Sequence, residues 1–129
     1  MLFKQGFGEK IMCKKVYSIE INDLISVTRF SQEPTLSEIK SAIDDVAAMG
    51  EFRKRLWIFD AGIDLRTDEI VEIGQYSKEM WSEPSVTAIV VPDDFSFGLA
   101  RMYDAFREQE GVKSMVFRTE SEAMDWFKK

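Results

Sequence analysis

The sequence predicts an α/β fold: a mixed, mostly parallel sheet flanked by helices, with elements in the order β-β-α-β-α-β-α-β-α. Three observations carry this. Leu56–Phe59 and Ala88–Val91 are short, unbroken apolar runs, the pattern of strands covered on both faces as in a parallel sheet. Between and after them lie stretches with apolar residues at helical spacing, each opened by a capping residue. Upstream, Tyr17, Ile19 and Ile21, then Ile25 and Val27, alternate with polar residues, as half-buried antiparallel strands do.

Taken in order, residues 1–14 show no clean period, and Gly6 and Gly8 interrupt them. They read as an N-terminal arm or a short edge strand; the glycines disfavour an amphipathic membrane-anchoring helix. Residues 15–129 read as a single domain. Asn22-Asp23 tolerates the positive φ of a tight hairpin turn between the first two strands. Thr35 and Glu38 have capping-box spacing, Leu36, Ile39, Ile43 and Val46 form the buried face of the first helix, and Gly50 ends it. Glu51 to Arg55 reads as a charged, solvated surface turn rather than a phosphate site. After the strand Leu56–Phe59, Thr67 is placed to cap the next helix, with Asp68 and Glu69 suited to its positive end. The inner side of that helix is Ile70, Ile73, Gly74, Ser77 and Trp81, and Pro84 prevents it running on.

Pro92 stops the strand Ala88–Val91, and Ser96 is placed to cap a helix with Leu99, Met102, Tyr103 and Phe106 in one stripe. Gly98 in its first turn fits either close packing of helix on strand or approach of a ligand to backbone. Gly111 is the expected helix-ending residue. Val112–Phe117 is the last strand, and Thr119 with Glu122 opens a short helix that turns Ala123, Trp126 and Phe127 inward. Lys128 and Lys129 suit that helix's negative end.

Composition excludes more than it assigns. The net charge of −6 argues against nucleic acid as a partner. The chain has no histidine and one cysteine, Cys13, so the commonest acid–base residue is missing and no zinc site is expected. That lone cysteine fits a reducing cytoplasm. No apolar run is long enough for an integral membrane segment, and the N-terminus lacks the apolar core of a signal peptide. No nucleophile–base pair with an orienting third group and no glycine-rich phosphate loop stands out, so the chain reads as no enzyme and as needing no cofactor or metal.

Three stretches carry a family resemblance: Leu56-Trp57-Ile58-Phe59-Asp60, Phe97-Gly98-Leu99-Ala100-Arg101-Met102-Tyr103, and Val116 to Phe127 (VFRTESEAMDWF). With the order of elements, the chain resembles the STAS superfamily over roughly Val16 to Phe127. More closely, it looks like the uncharacterised bacterial STAS-like proteins named after the sporulation anti-sigma-factor antagonist. The resemblance implies a mixed sheet with helices, related in shape to the CRAL-TRIO lipid-binding fold, and a role in binding protein partners, nucleotides or small ligands rather than catalysis. In the antagonists an Asp-Ser-Ser-Gly-like motif carries a phosphorylated serine. Here that region is Gly62-Ile63-Asp64-Leu65-Arg66-Thr67-Asp68; the serine is absent, and Thr67, the nearest hydroxyl, is explained by capping.

Ligands of open α/β sheets favour the crevice beyond the carboxyl ends of parallel strands. That places Asp60, Asp64, Arg66, Thr67, Asp93, Asp94, Ser96, Gly98 and Arg101 on one rim, above a wall of Trp57, Phe97 and Tyr103. The same residues also have purely structural explanations: carboxylates at helix starts, and Arg101 paired with Asp104 on its own helix. Asp93-Asp94 offers paired carboxylates for acid–base work or a hard cation, but adjacent residues in a capping loop are weak evidence for either. Two functional readings follow. One is a non-enzymatic module acting through a protein partner or self-association, with Met80-Trp81 and Phe95–Phe97 as contact surface. The other is a protein for a small apolar ligand or lipid, to which the ten Phe and seven Met would contribute.

Overall fold

A computed structural model describes residues 9–13, 16–81, 84–107 and 112–128, with side chains from Val16 onward. The expectations for Gly111, Lys129 and residues 1–8 lie outside that set. Six strands form one sheet: β1 (Glu9–Cys13), β2 (Tyr17–Asn22), β3 (Ile25–Phe30), β4 (Lys54–Phe59), β5 (Ser85–Val90) and β6 (Val112–Phe117). Four helices accompany them: α1 (Leu36–Met49), α2 (Thr67–Met80), α3 (Asp94–Arg107) and α4 (Glu120–Phe127). The fold is α/β, and its sheet is mixed. β1–β2 and β2–β3 pair antiparallel, and β3–β4, β4–β5 and β5–β6 pair parallel. The two apolar runs seen in the sequence are neighbouring central strands, with Leu56 beside Ala88 and Trp57 beside Ile89.

Spatial order equals chain order, so every crossover steps the same way and lays its helix on the same face. One face, carrying Tyr17, Ile19, Phe30, Trp57, Phe59, Ile89, Val91 and Val116, is covered by α1, α2 and α3. The opposite face, with Ile25, Leu56, Ile58, Ala88 and Val90, is covered over β4–β6 by Ala123 and Phe127 of α4. The aromatic floor of the larger core is continuous: Phe30 stacks on Phe59 at 4.9 Å between centroids and lies 6.4 Å from Trp57.

The start of α1 is as the spacing predicts. Thr35 Oγ1 accepts the Glu38 N–H (3.2 Å) and Glu38 Oε1 accepts the Thr35 N–H (2.8 Å), a complete capping box. Thr119 likewise caps α4 by accepting the Glu122 N–H at 3.1 Å.

Five local expectations need correction. First, the hairpin turn lies one residue later than Asn22-Asp23. Asn22 pairs with Ile25, and Asp23 (φ 55°) and Leu24 (φ 70°) are the turn residues. Second, α2 is capped at Arg66, not Thr67. The Arg66 N–H donates to Glu69 Oε1 at 2.9 Å, and Thr67 is the first helical residue, exposed. Third, α3 starts before Ser96; Asp93 Oδ1 accepts the Ser96 N–H at 2.8 Å, which makes Asp93 the cap. Fourth, Gly98 meets nothing within 4 Å of an added Cβ, so neither close packing nor a shielded approach to its backbone requires glycine there. The close approach on this side of the sheet is at Gly62 instead. Fifth, Lys54 and Arg55 do not belong to a solvated turn. They begin β4, and Arg55 is 3% exposed.

The corrected turn carries a prediction. Leu24 is exposed and held at positive φ, where a side chain costs about 1–2 kcal/mol. Leu24→Gly removes that strain, partly offset by the freer unfolded chain. It should raise unfolding stability by about 0.5–1 kcal/mol in denaturant titration; a loss would contradict the turn assignment. The corrected cap carries another. Thr67→Ala removes no capping bond and should change stability by less than about 0.5 kcal/mol. A melt showing a full cap's loss, about 1 kcal/mol, would restore Thr67 to the cap position.

Candidate functional site

The residues expected on the rim separate into three groups in the structure. Asp60, Asp64, Arg66, Thr67, Gly98 and Arg101 are exposed. Asp60 Oδ1 accepts from Arg29 Nη1 at 2.9 Å, and the same guanidinium reaches Glu120 at 2.8 Å, so this carboxylate ties β3 and β4 to the start of α4. Arg66 bonds Asp68 of its own helix at 3.1 Å. No hydrogen bond or ion pair joins Arg101 to Asp104, the pairing the sequence suggested.

Ser96 and Phe97 form the second group, which is structural. Ser96 is 1% exposed, and its Oγ accepts the Ile63 N–H at 2.8 Å and lies 3.4 Å from the Ile63 carbonyl. This hydroxyl fastens the loop after β4 to the first turn of α3. Gly62 makes the contact sterically feasible. At φ +86° its added Cβ would lie 2.7 Å from Ser96 Oγ and 3.0 Å from Asp93 Oδ2. The Ser96 N–H holds the Asp93 carboxyl below the usual carboxylate range. The cap contribution is therefore present above the unfolded carboxyl pKa and is lost as pH falls through Asp93's depressed value. Phe97 packs half-buried against the core.

Trp57 and Tyr103 are the third group, and the structure brings them together in a cavity rather than on the rim. The cavity, about 60 Å³, lies between the sheet and α1–α3. Trp57, Phe59 and Ile89 are its floor; Ile39 and Ile43 of α1, Ile70 and Ile73 of α2, and Leu99 and Ala100 of α3 are its walls. Ile63 and Leu65 close the end beneath the loop after β4, and Trp81 closes the other. Apart from the indole N–H groups of Trp57 and Trp81, the polar side chains lining it among the described residues are Ser77 and Tyr103, and the Tyr103 hydroxyl donates to Ser77 Oγ at 3.1 Å.

Polarity enters at the amino ends of the parallel strands, the end opposite the expected rim. Ser26, Arg55, Thr87 and Ser114 sit side by side across β3, β4, β5 and β6, on the face that α1–α3 cover. Arg55 donates from Nη1 to the Phe52 carbonyl (2.6 Å) and from Nη2 to Ser85 Oγ (2.9 Å), and its guanidinium lies 4.0 Å from the Trp81 ring centre. Burial lowers its pKa to about 10, against an upward pull from Tyr103 and with a further push down from Arg107. It therefore stays charged at neutral pH. Arg107, equally buried, donates to the Trp81 carbonyl at 2.6 Å. Arg55 and Trp81, with Phe52, Arg53 and Ser85, line a second and larger hollow of about 260 Å³.

The sequence held a signal for Arg55 in strand parity. Residues 55, 57 and 59 share a face, so an arginine two positions before a buried tryptophan belongs to the core side.

Among the described residues no group of three or more Asp, Glu or Cys side chains is placed to hold a metal ion, and no helix is long and apolar enough to cross a membrane. Comparison of the chain with protein-family models, with curated proteins and with solved structures gives no match.

Proposed function

We propose that this chain is a non-enzymatic, STAS-like binding module that holds a small apolar molecule between its sheet and α1–α3. The observation that carries the reading is the cavity lined by Trp57, Ile89, Ile73 and Ala100, in whose described lining the two hydroxyls, of Tyr103 and Ser77, already bond each other. Small-molecule sites combine such apolar walls with few polar groups. At about 60 Å³ the space is smaller than a drug-sized ligand requires, so occupation involves outward movement of α3, whose packing residues Leu99, Met102 and Tyr103 are only half-buried. The resemblance to STAS proteins and to the CRAL-TRIO fold supports the same reading, and the lone Cys13 fits a reducing cytoplasm.

The test is a titration with 1-octanol, a neutral apolar probe, followed through the emission of Trp57 and Trp81. Saturable binding is expected in the wild type. Ala100→Leu, which fills the cavity, should remain folded and bind at least tenfold more weakly. Unchanged binding in that variant, or no saturable binding in the wild type, would overturn the reading.

A second reading rests on a separate observation. Phe95 is 63% exposed and Phe106 38%, and with half-buried Met102 they fall on one stripe of α3. Large exposed aromatics of this kind serve as anchors for a protein partner or for self-association. A doubled mass in solution that Phe95→Ser returns to the monomer would favour it.

A further inference from the structure

We infer that the ligand is an amphipathic monocarboxylate, with its apolar body in the cavity and its carboxylate on Arg55 at the amino end of the sheet. This rests on the apolar-ligand reading and adds to it the head group and its place. Four features of the structure support it.

Arg55 is a buried cation with no carboxylate partner among the described residues. Burying an uncompensated charge is costly, and the two hydrogen bonds it makes leave three of its five N–H groups unassigned. Its Nε is fully buried and without a hydrogen-bond partner. Ser26 Oγ and Ser114 Oγ, in the same transverse row but outside the lining of the hollow, are also buried without partners. A group entering the hollow would meet the unassigned N–H groups of Arg55.

Geometry joins this polar end to the apolar cavity. Trp81 lines both hollows, and its ring centre lies 4.0 Å from the Arg55 guanidinium and 6.2 Å from the Trp57 ring. It follows the last turn of α2 and is half-buried, so it is the side chain that the two spaces share. The Tyr103 hydroxyl stands at the same junction, bonded to Ser77 and close enough to Arg55 to influence its charge.

Charge selects the head group. The carboxyl ends of helices repel anions, but at the end of α2 Arg107 already covers the Trp81 carbonyl, and Arg55 covers the Phe52 carbonyl in the turn before β4. In the outer hollow, Arg53 is offset by Glu51, which leaves Arg55 as the one net positive charge among the described lining residues. Of the two buried guanidiniums, Arg55 and Arg107, only Arg55 lines the hollow, which suits a monoanion, and its planar fork matches a carboxylate.

The test compares octanoate with 1-octanol, which has the same chain length and no charge, at neutral pH on the wild-type protein and on Arg55→Met. Octanoate should bind the wild type at least tenfold more tightly than octanol. Arg55→Met should lose that preference while octanol affinity changes less than twofold. Should Arg55→Met fail to fold, the Arg55 Nε–H resonance of the wild type serves instead; it should shift with octanoate and stay in place with octanol. If octanol binds saturably but octanoate no more tightly, or if the preference survives in folded Arg55→Met, or if the Nε–H signal ignores octanoate, the head-group assignment is overturned and the apolar-cavity reading stands. If neither probe binds, both are overturned.

Discussion

Replacing Phe30 by Ala should cost about 3–5 kcal/mol, a large part of the 5–15 kcal/mol that typically separates a folded domain from its unfolded state. Phe30 is fully buried and is the largest such side chain among the described residues. It sits in β3, where the antiparallel hairpin meets the parallel part of the sheet. Its ring stacks on Phe59 of β4 and lies 5.5 Å from Tyr17 of β2, so one side chain joins three strands. Tyr17 in turn hydrogen-bonds Ser41 (2.9 Å) and Asp45 of α1, which extends the same contact to the helix layer. Truncation would leave a void that neighbours held by backbone ladders fill only in part. In urea titration the midpoint should fall sharply with an unchanged slope. A loss below about 1 kcal/mol would mean that Phe30 is not central to the core.

The second large effect is expected at Gly62, where Gly62→Ala should cost about 2–5 kcal/mol. Positive φ disfavours alanine by about 1–2 kcal/mol. The added Cβ also falls 2.7 Å from Ser96 Oγ, which must move and release the Ile63 N–H at a further cost of about 1–3 kcal/mol. The two contributions can be separated. In a Ser96→Ala background the 2.7 Å contact is gone and only the 3.0 Å approach to Asp93 Oδ2 remains, so Gly62→Ala should be cheaper there than in the wild type. Equal costs in the two backgrounds would place the strain in the backbone alone.

Much of the architecture could be read in the sequence, because apolar patterning reports burial directly. The runs Leu56–Phe59 and Ala88–Val91 have no polar face, and the capping pairs Thr35/Glu38 and Thr119/Glu122 mark helix starts through local chemistry. What was less legible depended on contacts between distant segments. Ser96 has the composition of a cap, and only the approach of the loop after β4 turns it into a clasp for Ile63. Gly98 and Gly62 are equivalent in sequence, but one faces open space and the other faces Ser96 and Asp93. Arg55 sits in the basic run Arg53-Lys54-Arg55 and looks solvated by composition. Strand parity, Ser85 and Trp81 put it inside. The site was affected more than the fold for the same reason. Trp57 and Tyr103 were singled out for a shared wall, yet the polar end next to them depends on a row of residues from four different strands.

Native mass spectrometry of freshly purified full-length protein tests most directly whether the space between the sheet and α1–α3 is a ligand site. The account predicts a monomer carrying additional small-molecule mass, released on denaturation and absent from Ala100→Leu. A bare monomer, a dimer without added mass, or an adduct equally retained by folded Ala100→Leu would contradict it.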